Sequence, residues 1–202
     1  LHVAEHHSSP LNMVPAPGVY LSAVARATES LRLGPLVYLL TLTTPLKLAE
    51  EICMLDHLSN GRFELGVGRG VSPFELNYHN VDHAESRDIF FDAYDCLKKA
   101  LSADEFSYQG KYFNYDNVPM PLRPLQDPFP PVWYGSSSTT GSAWAGEHGL
   151  HFTSNGPTAK AKENIDAYRQ AFAAHGKPAH PKPEFPGGLA VGTLRHIVVA
   201  ET

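Results

Sequence analysis

Strand-like and helix-like segments alternate along the whole chain, and that alternation limits the fold more than any other feature. Leu1 to Glu5 is short, apolar and strand-like. Pro17 opens a stretch in which Leu21, Val24, Ala25 and Thr28 recur at helical spacing. Leu31 to Leu40 is an apolar run that predicts one strand buried on both faces. Thr44-Pro45 predicts an N-cap and a first-turn proline. Leu48, Ala49, Ile52 and Leu55 give that helix its inner face, and Asn60-Gly61 ends it. Phe63 to Gly68 predicts a strand running into a glycine-rich corner. Asp82 to Glu85 predicts a capping box, ahead of a helix with Ile89, Phe90, Ala93, Leu97 and Ala100 on one stripe.

The segment from Phe106 to Gln126 is rich in Tyr, Pro and Asn and predicts a hairpin followed by an irregular loop. Pro131 to Gly135 and Gly149 to Thr153 predict strands, separated by a helix that a serine and threonine cluster opens. Ala161, Ile165, Tyr168 and Phe172 mark the next helix, closed by Gly176, and a last strand is expected over about Leu189 to Ala200. Six strands joined by five helical crossovers result, the pattern of a parallel sheet covered by helices. Periodicity does not choose between a barrel and a doubly wound open sheet. No internal repeat or composition break divides residues 1–202, so one domain is expected.

The charge balance narrows the partners. Sixteen basic against 21 acidic residues leave a formal net charge of -5 and no basic stripe, which argues against a nucleic-acid partner. No apolar run reaches the roughly 18 residues of a membrane span, and no secretory signal is visible. The two cysteines, Cys53 and Cys96, lie in helix-like patterns and predict free thiols in a cytoplasmic protein. The chain opens at Leu1 on a strand and closes on another, Ile197-Val198-Val199-Ala200, so both ends read as cut from something larger.

Three segments could carry chemistry. Glu5-His6-His7 follows the first strand, and adjacent strand residues face opposite ways, so at most one histidine points into a barrel interior. A histidine there can exchange protons near neutral pH; the alternative is two loop histidines making structural hydrogen bonds. His2-Val3-Ala4-Glu5-His6 also fits the H-x-x-E-H zinc pattern, whose chemistry needs a helix. Gly66-Val67-Gly68-Arg69-Gly70 lets a flat ring or a phosphate approach the backbone and supplies a fixed cation. Its spacing departs from G-x-G-x-x-G, and a tight turn explains it equally. Ser136, Ser137 and Ser138 precede a helix, where free N–H groups and hydroxyls form an anion site or merely an N-cap. Glu75, just past the glycine corner, is either a site carboxylate or a solvated loop acid.

Together these segments resemble the bacterial-luciferase-like flavin-dependent monooxygenases. The resemblance is carried by Val3 to His7, Leu31-Arg32-Leu33-Gly34, Pro45 to Glu51, Leu55 to Gly70, Pro130-Pro131-Val132-Trp133 and Ala145 to Gly149, in the family's order. It implies a (β/α)₈ TIM barrel and an oxidoreductase that binds reduced FMN, or in some branches the deazaflavin F420. It implies a flavin 4a-hydroperoxide formed with O₂, reduced flavin delivered by a separate flavin reductase, and a small organic substrate. On this resemblance His6 is the catalytic histidine, Arg69 lies near the flavin phosphate, and Ser136, Ser137 and Ser138 wrap that phosphate. Gly68 lies beside the isoalloxazine, Glu75 lines the site, and a non-proline cis peptide is expected near Leu36-Val37. No metal is implied.

Two departures stand out. Gly68 occupies the place of a reactive cysteine in luciferase itself, so no thiol chemistry is expected there. A full barrel takes about 250 residues or more, so only about strands two to seven of an incomplete barrel are expected here. Open strand edges invite pairing, which predicts a homo-oligomer. An F420-dependent dehydrogenase and a non-catalytic flavin-binding paralogue are the alternatives.

Overall fold

The computed structural model describes residues 1–181, Phe185 and residues 188–195. By contact the chain divides into two compact units, Leu1–Pro130 and Pro131–Thr202.

The first unit contains β1 (His2–Val3), α1 (Pro17–Ala27), β2 (Gly34–Pro35), β3 (Tyr38–Leu39), α2 (Pro45–Leu58) and β4 (Leu65–Gly68). Then come α3 (Pro73–Tyr78), α4 (Ser86–Ser102) and the hairpin of β5 (Glu105–Gln109) and β6 (Asn114–Pro119). β1 runs parallel to β2, with Val3 opposite Pro35, and β3 runs parallel to β4, with Leu39 opposite Gly68. The expected Leu31 to Leu40 strand is split. Leu31 is exposed, Leu33 makes a single parallel bridge to Phe63, and the ladder is interrupted at Leu36-Val37. That peptide is cis, at the position the resemblance implied. The strands approach so closely that a Cβ at Gly34 would overlap the Glu64 carbonyl, and one at Gly66 the Pro35 carbonyl.

Leu48, Ala49, Ile52 and Leu55 form the buried face of α2, as their spacing predicts. Thr44 holds the N-cap backbone position, yet its side chain makes no cap hydrogen bond; Pro45 alone presets the first turn. The corner between α2 and β4 is heavily bonded. Asn60 and Gly61 both take positive φ, 53° and 74°. Asp56, 0% exposed, accepts from the Gln126 backbone N–H at 2.8 Å and from its amide Nε2 at 2.7 Å. That amide also donates to the Phe63 carbonyl at 2.8 Å. The Arg62 guanidinium donates to the carbonyls of Ala25, Thr28, Leu31 and Ser59, so one side chain caps the end of α1 and ties it to the corner.

The helix expected from the Asp82–Glu85 capping box starts later. The Asp82 carboxylate accepts from Ala84 N–H at 2.8 Å and its carbonyl from Glu85 N–H at 3.1 Å, which makes a separate turn before α4. Phe90, Ala93, Leu97 and Ala100 are buried on α4 as expected. α3 was not expected at all. Its signature is Ser72-Pro73-Phe74-Glu75: an N-cap serine, a proline at the first position and a glutamate at the third.

The second unit holds β7 (Val132–Ser136), α5 (Thr139–Glu147), β8 (His151–Ser154), α6 (Thr158–His175) and β9 (Val191–Thr193). β7, β8 and β9 are parallel, with Ser136 opposite Ser154 and Ser154 opposite Thr193. Its core is Ala145, Phe152, Tyr168 and Leu189, with Tyr134, Trp144, Ile165, Phe172 and Val191 packed against it. The Tyr168 hydroxyl donates to the Leu150 carbonyl at 2.7 Å, so the ring is buried without stranding its polar tip. Of the expected last strand, Val191 to Thr193 is observed, and Ile197 to Ala200 lie outside the described residues. Parallel strands alternate with helices in both units, and in neither do the described strands close into a ring. No described helix is long and apolar enough to cross a membrane.

The packing generates two expectations. Asp56→Ala leaves the two Gln126 N–H groups without their acceptors, and urea unfolding is expected to show a loss of about 2–4 kcal/mol. Cys53 and Cys96 are both 0% exposed, and burial pushes their thiols up to about 11 and about 12. Both therefore stay protonated at neutral pH, and iodoacetamide at pH 8 is expected to label neither until denaturant is added. Rapid labelling of the native chain would contradict that burial.

Candidate active site

Chain leaving β1 carries Glu5, His6 and His7, and alternation sends the middle residue one way and its neighbours the other. The structure follows that rule. His6 Nδ1 lies 3.1 Å from Glu75 Oε1, whereas His7 Nε2 lies 2.8 Å from Glu5 Oε1.

Glu75 is 4% exposed, so it is a buried carboxylate and not a solvated loop acid. Its place is fixed from both sides. Ser72 Oγ accepts from the Glu75 backbone N–H at 3.3 Å, and Ser9 Oγ donates to Glu75 Oε1 at 3.4 Å. A carboxylate facing Nδ1 selects the tautomer with hydrogen on that nitrogen, which leaves Nε2 as the acceptor of the neutral ring. His6 remains about a quarter exposed, its side chain at 27%. A buried carboxylate against a solvent-reachable imidazole is an arrangement that can take up and release a proton at a fixed position.

The neighbouring pair is also tied down. Glu5 Oε2 accepts from the Leu39 backbone N–H at 2.8 Å. Burial raises the Glu5 carboxyl above the usual range, and the hydrogen bonds from Leu39 and His7 oppose that rise. Next to it Tyr38 Oη donates to Glu51 Oε1 at 2.5 Å, and burial holds that phenol far above its ordinary value. The sequence singled out His7 only as the alternative to His6. The partnership of Glu5 with His7 is an i, i+2 contact along the segment that leaves β1, and period-two alternation could have found it.

The H-x-x-E-H spacing does not converge. Residues 2–6 form no helix, and His2 Nε2 faces Glu64 at 3.6 Å while His6 faces Glu75. Among the described residues no cluster of three or more metal-ligating side chains is present.

At the glycine corner, Arg69 Nη1 donates to Ser86 Oγ at 3.1 Å, and the Arg69 carbonyl accepts from Thr41 Oγ1 at 2.8 Å. Gly70 takes φ +81°, a backbone that favours glycine. Gly68 has another reason to be glycine: a Cβ there would overlap Val37 Cγ2. The space beside Gly68 therefore belongs to Val37.

In the second unit Ser136, Ser137 and Ser138 lead into α5. Ser138 caps that helix, its Oγ accepting from Gly141 N–H at 3.2 Å. Ser136 Oγ donates to the Ser138 carbonyl and accepts from the Ser138 N–H, both at 3.1 Å. Ser137 and Ser138 are exposed, as are Thr139 and Thr140 in the first turn. The hydroxyls therefore cap the helix and shape the turn, and the helix N-terminus stays open to water.

The chain is similar to known proteins of one family. The model of the family "Luciferase-like monooxygenase" matches residues 1–202. The uncharacterized protein y4wF of Sinorhizobium fredii (strain NBRC 101917 / NGR234) is 45% identical over 83% of this chain and 49% of its own length. The 4-hydroxyprotoasukamycin monooxygenase of Streptomyces nodosus subsp. asukaensis is 30% identical over 82% of this chain and 45% of its own length. The chain spans about half the length of these curated relatives.

Solved structures agree on the fold. Monooxygenase RslO1 from Streptomyces bottropensis superposes with a TM-score of 0.84 at 25% identity, over 95% of this chain and 58% of that one. The oxygenating constituent of 3,6-diketocamphane monooxygenase from Pseudomonas putida, in complex with FMN, gives 0.75 at 23%, over 88% and 53%. An F420-dependent secondary alcohol dehydrogenase gives 0.78 at 16%, over 95% and 58%.

The glycine corner yields a test that separates packing from ligand binding. Gly68→Ala is expected to cost about 1–3 kcal/mol of stability with no ligand present. The same substitution made in a Val37→Ala background should cost less than half as much, as urea unfolding of the four chains will read. An unchanged cost would mean that Val37 is not what excludes a side chain at residue 68.

Proposed function

The chain belongs to the luciferase-like monooxygenase family, and from that membership we propose that it acts in an FMN-dependent monooxygenase that oxidises a small organic molecule with O₂. The observation that carries the reading is the pair His6–Glu75, a histidine held at 3.1 Å on a buried carboxylate. The names of two relatives, a 4-hydroxyprotoasukamycin monooxygenase and monooxygenase RslO1, support it.

The residues fit the cofactor's anionic end. The N-terminus of α5 presents backbone N–H groups beside exposed Ser137 and Ser138. A Cβ at Gly141 would run into Ser136 Oγ, so glycine keeps that turn tight. Ser136, Ser137 and Ser138 are assigned to the phosphate. Arg69, with one N–H on Ser86 and others to spare, is assigned to cofactor binding as well, and Gly68 through its backbone alone, since Val37 fills the space a side chain would take. Bound reduced FMN would supply the electrons that activate O₂.

His6 is the acid–base group. Glu75 holds Nδ1–H and so aims Nε2 outward, where it can accept a proton or, as imidazolium, give one up. The buried carboxylate fixes the orientation of the ring, and Ser9 steadies the carboxylate. A separate flavin reductase, homo-oligomeric assembly and a cytoplasmic setting belong to the same proposal. The second reading is F420-dependent hydride transfer, which the same pair favours because a carbonyl that gains hydride needs a placed proton donor and an alcohol that loses hydride needs a placed acceptor.

Anaerobic titration of the chain with reduced FMN and with reduced F420, followed by mixing with O₂, tests both. FMN binding with O₂-dependent substrate oxidation is expected. His6→Ala should slow that oxidation at least about 100-fold while leaving the FMN affinity within a few-fold. Binding of F420 with hydride transfer and no O₂ uptake would replace the first reading with the second. Binding of neither would overturn both for this chain.

A further inference from the structure

We propose that Glu5 and His7 are positioning residues that clamp the two segments carrying His6 and Glu75; the proposal rests on reading that pair as the acid–base group. Three contacts define the clamp. Glu5 Oε1 binds His7 Nε2 at 2.8 Å, two residues along the segment that leaves β1. Glu5 Oε2 binds the Leu39 backbone N–H at 2.8 Å, which fastens the β1 exit to β3. The His7 ring meets the His79 ring edge-on, with centroids 4.7 Å apart and planes at 67°. His79 is the C-cap of α3, the helix that carries Glu75.

The consequence is geometric. His6 lies between Glu5 and His7 in the chain, so a bridge between its two neighbours fixes its backbone and leaves its own ring free for Glu75. The far end of the clamp rests on α3 itself. That helix has only six residues, too few to hold its shape without tertiary contacts. Both partners of the 3.1 Å bond are thus referred to one side chain, His7, which is 18% exposed. A hydrogen bond weakens steeply with angle and distance, and reacting groups tolerate misplacement of less than about 1 Å. Loosening the clamp is therefore expected to degrade the His6–Glu75 bond without removing either member.

The test follows the His6 Nδ1–H proton by NMR in the ¹⁵N-histidine-labelled chain, assigned by its loss in His6→Gln. The wild-type chain should show a low-field, slowly exchanging resonance. His7→Ala should broaden or abolish it and lower kcat about 10-fold or more with the FMN affinity unchanged. His7→Gln, which restores an N–H donor to Glu5 but no ring against His79, should recover both in part. His79→Ala removes only an exposed ring; it secures the test should His7→Ala fail to fold, and should weaken the same resonance. A wild-type resonance that persists unchanged in His7→Ala, or in His79→Ala where His7→Ala does not fold, would overturn the clamp while leaving the pair intact. Absence of the resonance from the wild-type chain would overturn the pair and the clamp together.

Discussion

Asp56 is a carboxylate with no exposed surface, and such a group is tolerated only where donors replace water. Both of its oxygens are answered by Gln126, one through the backbone N–H and one through the side-chain amide. The same amide reaches the Phe63 carbonyl, so a loop 70 residues away is stitched to the start of β4. Arg62 adds the other half of the corner by capping α1. The segment leaving β4, from Gly68 through Arg69 to Glu75, inherits its position from that corner.

Pairing of buried charge recurs at the site. Glu75 meets His6 and Ser9, Glu5 meets His7 and the Leu39 N–H, and Glu64 meets Arg32 and His2. Each carboxylate would be costly alone. Each also brings together segments distant in sequence, so the electrostatics that make burial possible fix geometry as well. At Glu75 the geometry has a proposed chemical use, since its partner reaches solvent. At Asp56 it has none beyond holding the corner.

Much of the fold was legible in the residues. The inner faces of α2 and α4 and the β5–β6 hairpin lie where spacing and composition put them, because helical and strand periods are local properties of burial. Two local signals misled. Asp82 and Glu85 have capping-box spacing, but Asp82 spends its side chain on Ala84 and closes a turn of its own. Ser72-Pro73-Phe74-Glu75 has the same spacing and does start a helix, one too short to show an apolar period. Leu31 to Leu40 reads as continuous because Leu dominates it; Gly34-Pro35, which suit a strand interior poorly, are the local sign of the break that follows.

The sequence by itself determined the alternating strand–helix plan and the family, and it singled out the candidates for chemistry and cofactor binding: His6, Glu75, Arg69, Gly68 and the three serines. Those depend on residue identity and near-neighbour spacing. Tertiary structure alone decided who meets whom. His6 and Glu75 are 69 positions apart, and Glu5 and Leu39 are 34 apart. Nothing local relates such residues, because their contact depends on how β1, β3 and α3 pack. Gly68 shows the same division from the other side: the sequence marks a glycine, and only the packed neighbour Val37 says why a side chain is excluded there.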